Sequence, residues 1–147
     1  MTLRPATPAD APACAAILNA WIDATPWMPR IHPPEDVVRH YREDVLPRRR
    51  VVLDAGPNGA VAGFVAADGP LVTALYLAAP ARGRGLGPRL LAAVRDGVQR
   101  LWTFQANDGA RRFYAREGFR EVARTDGDNE EGLPDLLLER PAAGAPA

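Results

Sequence analysis

The apolar positions of this chain change period several times, and each change marks an element. Leu3 to Ala6 predicts a short strand, and Thr7-Pro8-Ala9-Asp10 offers a helix start with proline and aspartate in favoured early positions. Cys14, Ile17, Leu18, Trp21 and Ile22 then recur at spacings of three and four, the stripe of one buried helical face. Cys14 therefore reads as core and not as a nucleophile. Four prolines between Thr25 and Pro34 block helix continuation, so this stretch is expected to be an ordered loop near a site. A second helix is predicted over Pro34 to Glu43, with Glu35 and Asp36 in its first turn and Val37, Val38 and Tyr41 facing inward. Arg48-Arg49-Arg50 follows as a solvated turn.

The next stretch alternates with period two. Val51 to Asp54 and Ala60 to Ala67 are strand-like runs around Ala55-Gly56-Pro57-Asn58-Gly59, a hairpin signal, and Leu71 to Ala78 makes a third strand. After a glycine-rich loop, a helix is predicted from about Pro88 to Arg100, with Leu90, Leu91, Val94 and Val98 on one face. Leu101 to Gln105 reads as a buried strand. Asn107 or Asp108 then caps a helix through Glu117 that Gly118 closes, with Phe119 packing back. Glu121 to Arg124 and Leu136 to Glu139 complete the sheet, and Pro141 to Ala147 is expected to be a disordered tail. The order β-α-α-β-β-β-α-β-α-β-β predicts a mixed α/β sheet: antiparallel strands first, then one right-handed crossover joining two parallel strands.

Composition narrows the classes. The 147 residues suit a single domain, here 1–140, and 47% hydrophobic with 24% charged residues is an ordinary globular balance. Eighteen basic residues, all arginine, are cancelled by 18 acidic ones, so global charge predicts no nucleic-acid or other polyanionic partner. The lack of lysine excludes a Schiff base and a Walker-type phosphate loop. A single cysteine excludes an intramolecular disulfide and a multi-cysteine metal site, and no metal is expected. The longest apolar stretch near the N-terminus, Ala11 to Ile22, is interrupted by Asn19 and too short for a bilayer, so a cytoplasmic protein without membrane contact is expected.

The loop Arg82-Gly83-Arg84-Gly85-Leu86-Gly87 carries the chemistry. A strand, a turn with alternate glycines and a helix start together expose unpaired backbone N–H groups, which with the helix dipole form an anion site. Glycines let a phosphate approach the backbone, and Arg82 and Arg84 add charge-assisted hydrogen bonds. A nucleoside-triphosphate loop would need Lys and Ser or Thr, which do not follow Gly87. A dinucleotide fingerprint would need an acid about 20 residues on, where Gln105 stands. The glycines alone are equally compatible with a turn that binds nothing, and the motif that follows weighs against that reading.

Leu75-Tyr76-Leu77, the loop from Arg82 to Gly87, and Leu90-Leu91 together resemble the cofactor motif of the GNAT superfamily of N-acetyltransferases: Arg or Gln, two residues, Gly, one residue, Gly or Ala. Asn107, Ala110, Phe113, Tyr114, Gly118 and Phe119 are similar to the motif that follows it in that family. The resemblance runs from Leu3 to Arg140 and includes the Trp27-Met28-Pro29-Arg30 loop and the segment Asn129 to Asp135. Two departures stand out. The family's proline three residues before the motif arginine is Ala79 here, with Pro80 one place later, and the glutamate many relatives carry on the preceding strand is absent, Thr73 and Ala74 standing there.

The resemblance implies a mostly antiparallel sheet with a central parallel pair that splays at Leu75 to Ala78, flanked by helices. Acetyl-CoA would enter the splay, its pantetheine paired with the main chain of Leu75 and Leu77 and its pyrophosphate held by residues 82–87. An acceptor amine of a small molecule or peptide would attack the thioester directly, while a backbone N–H near Leu77 steadies the oxyanion. Tyr114 would protonate the departing thiolate, with Phe113 supplying the helix's main core contact, and Asn107 would bond the pantetheine, cap its helix, or both. Candidates to deprotonate the amine are Glu130, Glu131, Asp135, His32 and Asp54, or a water chain. Trp27, Met28, His32, Glu130 and Glu131 are candidates for the acceptor pocket, although Trp27 and Met28 fit a homodimer interface equally well. The rival readings are a non-catalytic acyl-CoA sensor, transfer of another acyl group, and an oxygen acceptor.

Overall fold

A computed structural model of the chain describes residues 2–144. Its elements are strands β1 Leu3–Pro5, β2 Arg50–Ala55, β3 Val61–Asp68, β4 Leu71–Leu77, β5 Gln99–Phe104, β6 Arg120–Thr125 and β7 Asp135–Arg140, with helices α1 Ala11–Ala24, α2 Pro34–His40, α3 Leu46–Arg48, α4 Leu86–Ala93 and α5 Asp108–Arg116. The sheet has seven strands in the order β1-β2-β3-β4-β5-β7-β6. It is mostly antiparallel, with β4 and β5 as the parallel pair, Leu71 opposite Arg100 and Val72 opposite Leu101. Two compact units divide the chain: residues through Asp68 with Ala74–Val94, and Gly69–Thr73 with the residues from Arg95 onward.

In the first unit, β2 and β3 pair antiparallel from Arg50 opposite Ala67 to Ala55 opposite Val61, with a bulge at Asp54 and Ala55. Their buried Leu53 and Phe64 face Ala11, Cys14 and Ile17 of α1, together with Tyr41 and Leu46. The stripe read from the sequence is thus the core face of α1, although Trp21 and Ile22 remain half-buried. Asp10 fixes where this helix begins. Its carboxylate accepts from the Thr7 amide at 2.8 Å and from both terminal nitrogens of Arg4 at 2.9 Å each. The Arg4 guanidinium holds the Asp10 carboxyl below the usual carboxylate range.

Helix α2 does not end near Glu43. The chain stays helical through a wide π-type turn, Tyr41–Val45, into α3. In an ordinary α-helix, residues five apart point well away from each other; the wider turn, closed by the Leu46 amide on the Tyr41 carbonyl, lets both Tyr41 and Leu46 enter the core. Arg48 accordingly belongs to α3 and Arg50 to β2, so the three arginines are exposed but do not form one turn.

Helix α4 runs Leu86–Ala93, earlier and shorter than its apolar spacing predicts. Val94 leaves helical geometry, and Asp96 and Gly97 form the turn into β5. Val98, assigned to the buried face by periodicity, is 39% exposed.

In the second unit, β5 and β7 pair so that Gln99 lies opposite Arg140, Leu101 opposite Leu138 and Thr103 opposite Leu136, and all six are buried. Burial of Arg140 is balanced by bonds from its Nε to Gln99 at 2.8 Å and from a terminal nitrogen to the Glu117 carbonyl at 3.1 Å, with the Phe119 ring 4.9 Å away. Desolvation, reinforced by nearby Arg95, lowers the Arg140 pKa from its ordinary value. The Pro141 carbonyl accepts from Arg95 at 2.6 Å, whereas residues 145–147 of the expected tail lie outside the described residues. Among the described residues, no helix is long and apolar enough to cross a membrane.

Gly63 on β3 makes the closest approach in the first unit. A Cβ there would lie 2.5 Å from a Leu77 methyl and 3.1 Å from both a Leu86 methyl and the Tyr76 carbonyl oxygen. The Gly63→Ala variant is expected to lose about 1 to 3 kcal/mol through overpacking, read as a lower urea midpoint at unchanged slope. An unchanged midpoint would show that Leu77 and Leu86 can yield without loss.

Candidate functional site

The glycine-rich loop is positioned by burial on its helical side. Leu86, Gly87, Leu90 and Leu91 are buried and seat α4, whereas Arg82, Gly83, Arg84 and Gly85 are exposed. Upstream, a short 3-10 turn, Ala79–Ala81, with Pro80 in its first positions, leads from β4 into the loop. The alternate glycines answer a backbone requirement: Gly83 has φ +74° and Gly85 φ +80°, values that residues with a Cβ rarely adopt.

Space around these two glycines is open, for a Cβ at either would meet nothing within 4 Å. Gly85 is the N-cap of α4 and has no side chain to accept from the first-turn amides. Those amides, in the positive half of the helix dipole, are suited to an external anion. Among the described residues neither Arg82 nor Arg84 is paired with a carboxylate, so both charges are available to a phosphate group. Leu75 and Leu77 on β4 are half-buried. This donor set fits the pyrophosphate of a CoA thioester.

The first unit also carries the proline-rich loop after α1. Arg30 ties it down by donating to Asp23 from Nε and one terminal nitrogen, at 3.1 and 2.9 Å, and to Asn19 Oδ1 and the His32 carbonyl at 3.0 Å each. Trp27 meets Trp21 edge-on with ring centroids 5.8 Å apart, and Trp21 lies 5.5 Å from Tyr76 of β4. The predicted pocket residue Trp27 therefore belongs to an aromatic group whose members Trp21 and Tyr76 the sequence reading missed, because Trp21 fitted the core stripe and Tyr76 the strand. His32 is exposed, and Met28 is half-buried. Asp54 is 6% exposed and accepts from the Thr2 amide at 2.7 Å. Burial pushes the Cys14 thiol up to about 12, which makes it a poor nucleophile, as its place in the stripe predicted.

In the second unit, Asn107 caps α5 by accepting from the Ala110 amide at 3.1 Å. Gly118, at φ +93°, turns the chain so that buried Phe119 packs 5.4 Å from the Tyr114 ring. Here the expectation for α5 is corrected. Tyr114, 9% exposed, is the buried residue of the helix, and Phe113, 5.1 Å from it, is only half-buried. The return of Phe119 onto position 114 decides this, and helical spacing alone does not reveal it.

The segment from Asn129 to Asp135 borders a cavity of about 420 Å³, lined by residues of β5, β6, β7 and the loop before β7. Glu131 and Asp135 line it, but the exposed Glu130 does not. Asp135 is 6% exposed and accepts from the Thr125 hydroxyl at 2.5 Å and the Asn129 side-chain amide at 3.1 Å.

No curated protein matches the chain. Solved structures of similar fold include apo YjaB from Escherichia coli, with a TM-score of 0.77 at 21% identity over 97% of this chain and 98% of that one. The yncA protein of Salmonella typhimurium, solved with its cofactor acetyl-CoA, gives 0.74 at 21% identity over 100% and 96%. Ribosomal-protein-alanine N-acetyltransferase from Brucella melitensis gives 0.70 at 21% identity over 96% and 99%. The family model for the acetyltransferase (GNAT) domain matches residues 48–121, half of the chain, from the last turn of α3 into β6. That span takes in the glycine loop, the cap Asn107 and Tyr114, and it makes this chain a member of the GNAT acetyltransferase family.

Proposed function

We propose that this acetyltransferase, which uses acetyl-CoA as co-substrate and an amine as acceptor, works by direct attack of a small-molecule or peptide amine in a ternary complex. The observation that carries the reading is the loop from Arg82 to Gly87: two left-handed glycines under open space, an uncapped helix start and two unpaired arginines. Residues 82–87 are assigned to the pyrophosphate, the main chain of Leu75 and Leu77 to the pantetheine, and Asn107 to a further pantetheine bond beside its capping role. The co-substrate supplies an acyl thioester. The attacking nitrogen must first lose to solvent the proton that an aliphatic amine carries at neutral pH, and on becoming an amide it loses a second, which replaces the one Tyr114 gives up. As the C–N bond forms and the C–S bond breaks, the Leu77 amide is assigned to the charge developing on the carbonyl oxygen, and Tyr114 gives its phenolic proton to the leaving sulfur. Acceptor contacts are assigned to Trp27 and His32 in the first unit and to Glu130 and Glu131 in the second.

The loop assignment is tested by Gly85→Val. A β-branched residue is strained at φ +80° and intrudes on the open side of the loop. Calorimetry should show CoA affinity falling at least about tenfold, with a smaller loss for Gly85→Asn, since asparagine tolerates this backbone region. Equal affinity for parent and valine variant would remove the pyrophosphate from this loop.

Tyr114→Phe keeps the ring packed against Phe113 and Phe119 and deletes only the hydroxyl. Its single-turnover rate is expected to drop by roughly 10² to 10⁴, with acetyl-CoA affinity nearly unchanged, and the deficit should shrink with a thioester of a more acidic thiol. Equal single-turnover rates would make Tyr114 a packing residue only. A screen of amines by thiol release separates all this from the sensor reading, which predicts CoA binding without turnover.

A further inference from the structure

The chain between Asp68 and Asp96 contains no acidic residue, yet it holds Arg82, Arg84, Arg89 and Arg95. Elsewhere in the first unit arginines find carboxylates: Arg4 pairs with Asp10, Arg30 with Asp23, Arg39 with Asp36, Arg48 with Asp44 and Arg49 with Asp68. Arg50 donates to the Ala93 carbonyl at 2.8 Å. Apart from Arg42, the first-unit arginines without a partner among the described residues are Arg82, Arg84 and Arg89, which fall together at the start of α4.

Arg82 and Arg84 are assigned to the pyrophosphate, which leaves Arg89. It is the fourth residue of α4 and exposed, while Leu86, Leu90 and Leu91 are buried. A cation there opposes the positive end of the helix dipole, and no acid stands in the first turn to offset it. Residue 89 shares a helix face with the N-cap Gly85, four residues earlier, and a helical side chain leans back toward the helix start. The Arg89 guanidinium is thereby within reach of the space over exposed Gly85, where a Cβ would meet nothing within 4 Å.

CoA carries two separate anionic groups, a pyrophosphate on the 5′ oxygen of its ribose and a phosphate monoester on the 3′ oxygen. The monoester bears a charge of about −1.5 to −2 at pH 7 and offers three acceptor oxygens. Four residues advance a helix by about 6 Å, and the two anionic groups are separated by one ribose. The first amides of α4 with Arg82 and Arg84 match the pyrophosphate, and the remaining cation matches the remaining phosphate. We infer that Arg89 binds the 3′-phosphate of CoA and makes this chain select CoA over dephospho-CoA. The inference rests on the loop assignment above and adds a specificity-determining residue to it. No bond forms or breaks at this phosphate, so Arg89 acts on binding and not on acyl transfer.

Calorimetry on the full chain, at one fixed ionic strength, compares CoA with dephospho-CoA, which differ in this phosphate alone. The parent is expected to bind CoA about tenfold or more tightly, the usual effect of a hydrogen bond to a charged group. In Arg89→Gln, an exposed position whose replacement disturbs no packing, CoA affinity is expected to fall to that of dephospho-CoA. Dephospho-CoA affinity should keep its parent value, which also reports that the variant is folded. Arg82→Gln is expected to weaken both ligands alike and preserve the ratio, because the pyrophosphate is common to them. Equal affinities in the parent, a ratio that survives Arg89→Gln, or a ratio that vanishes in Arg82→Gln overturns the inference and leaves the loop assignment standing. Weakening of both ligands alike by Arg89→Gln overturns it as well, since Arg89 would then serve the pyrophosphate. The loop assignment fails separately: if Gly85→Val leaves dephospho-CoA affinity unchanged, the pyrophosphate lies elsewhere and the role of Arg89 falls with it.

Discussion

The contact that the loop geometry depends on is the approach of β3 to the end of β4 and the start of α4 at Gly63. A Cβ at Gly63 would crowd the methyls of Leu77 and Leu86, at 2.5 and 3.1 Å. Leu77 ends the strand and Leu86 begins the helix, so this one contact fixes both ends of the turn that carries the glycines. The eight residues between are held at their start by the Ala78 amide on the Ala62 carbonyl at 2.8 Å, and continue as a 3-10 turn, two left-handed glycines and exposed arginines. Buried leucines on the α4 side thus hold in place a backbone whose outer surface is polar and open. Core packing and the proposed anion site meet at adjacent residues, Gly85 exposed and Leu86 buried.

Much of this was legible in the sequence because it is local. The alternation in β2 and β3, the glycine turn between them, the three-and-four spacing in α1 and the asparagine cap of α5 each announce themselves within a few residues. The glycine loop was legible for the same reason, since a backbone that must take positive φ selects glycine at those places. What the sequence concealed depends on tertiary packing. No residue type signals the wide turn at Tyr41–Val45, which exists so that Leu46 can reach the core. Val94 and Val98 continued a helical rhythm beyond the point where the helix stops, and Gly97 was too weak a signal to outweigh them.

The cavity of the second unit illustrates a further limit. Trp102, Thr125 and Asp135 come from three strands and are brought together by register: Trp102 adjoins Thr103 and Phe104 on β5, Phe104 pairs with Asp135 and so does Thr125. The acidic segment could be noticed in the sequence, but its inclusion of Glu131 and exclusion of Glu130 follows from where the loop turns. Tyr114 shows the same dependence in α5, where the chain's return at Gly118 determines which of two adjacent aromatic residues is buried.

The Arg30 clamp has an energetic meaning for any ligand that meets the loop it holds. Five hydrogen bonds from one guanidinium, to Asp23, Asn19 and the His32 carbonyl, immobilise a segment that its prolines already stiffen. Ordering a free loop on association typically costs entropy for each side chain immobilised, and that cost weakens affinity. Here the ordering is completed when the chain folds, so a ligand that reached Trp27 would meet a rigid surface, and little of the contact energy it gained would be spent on freezing motion.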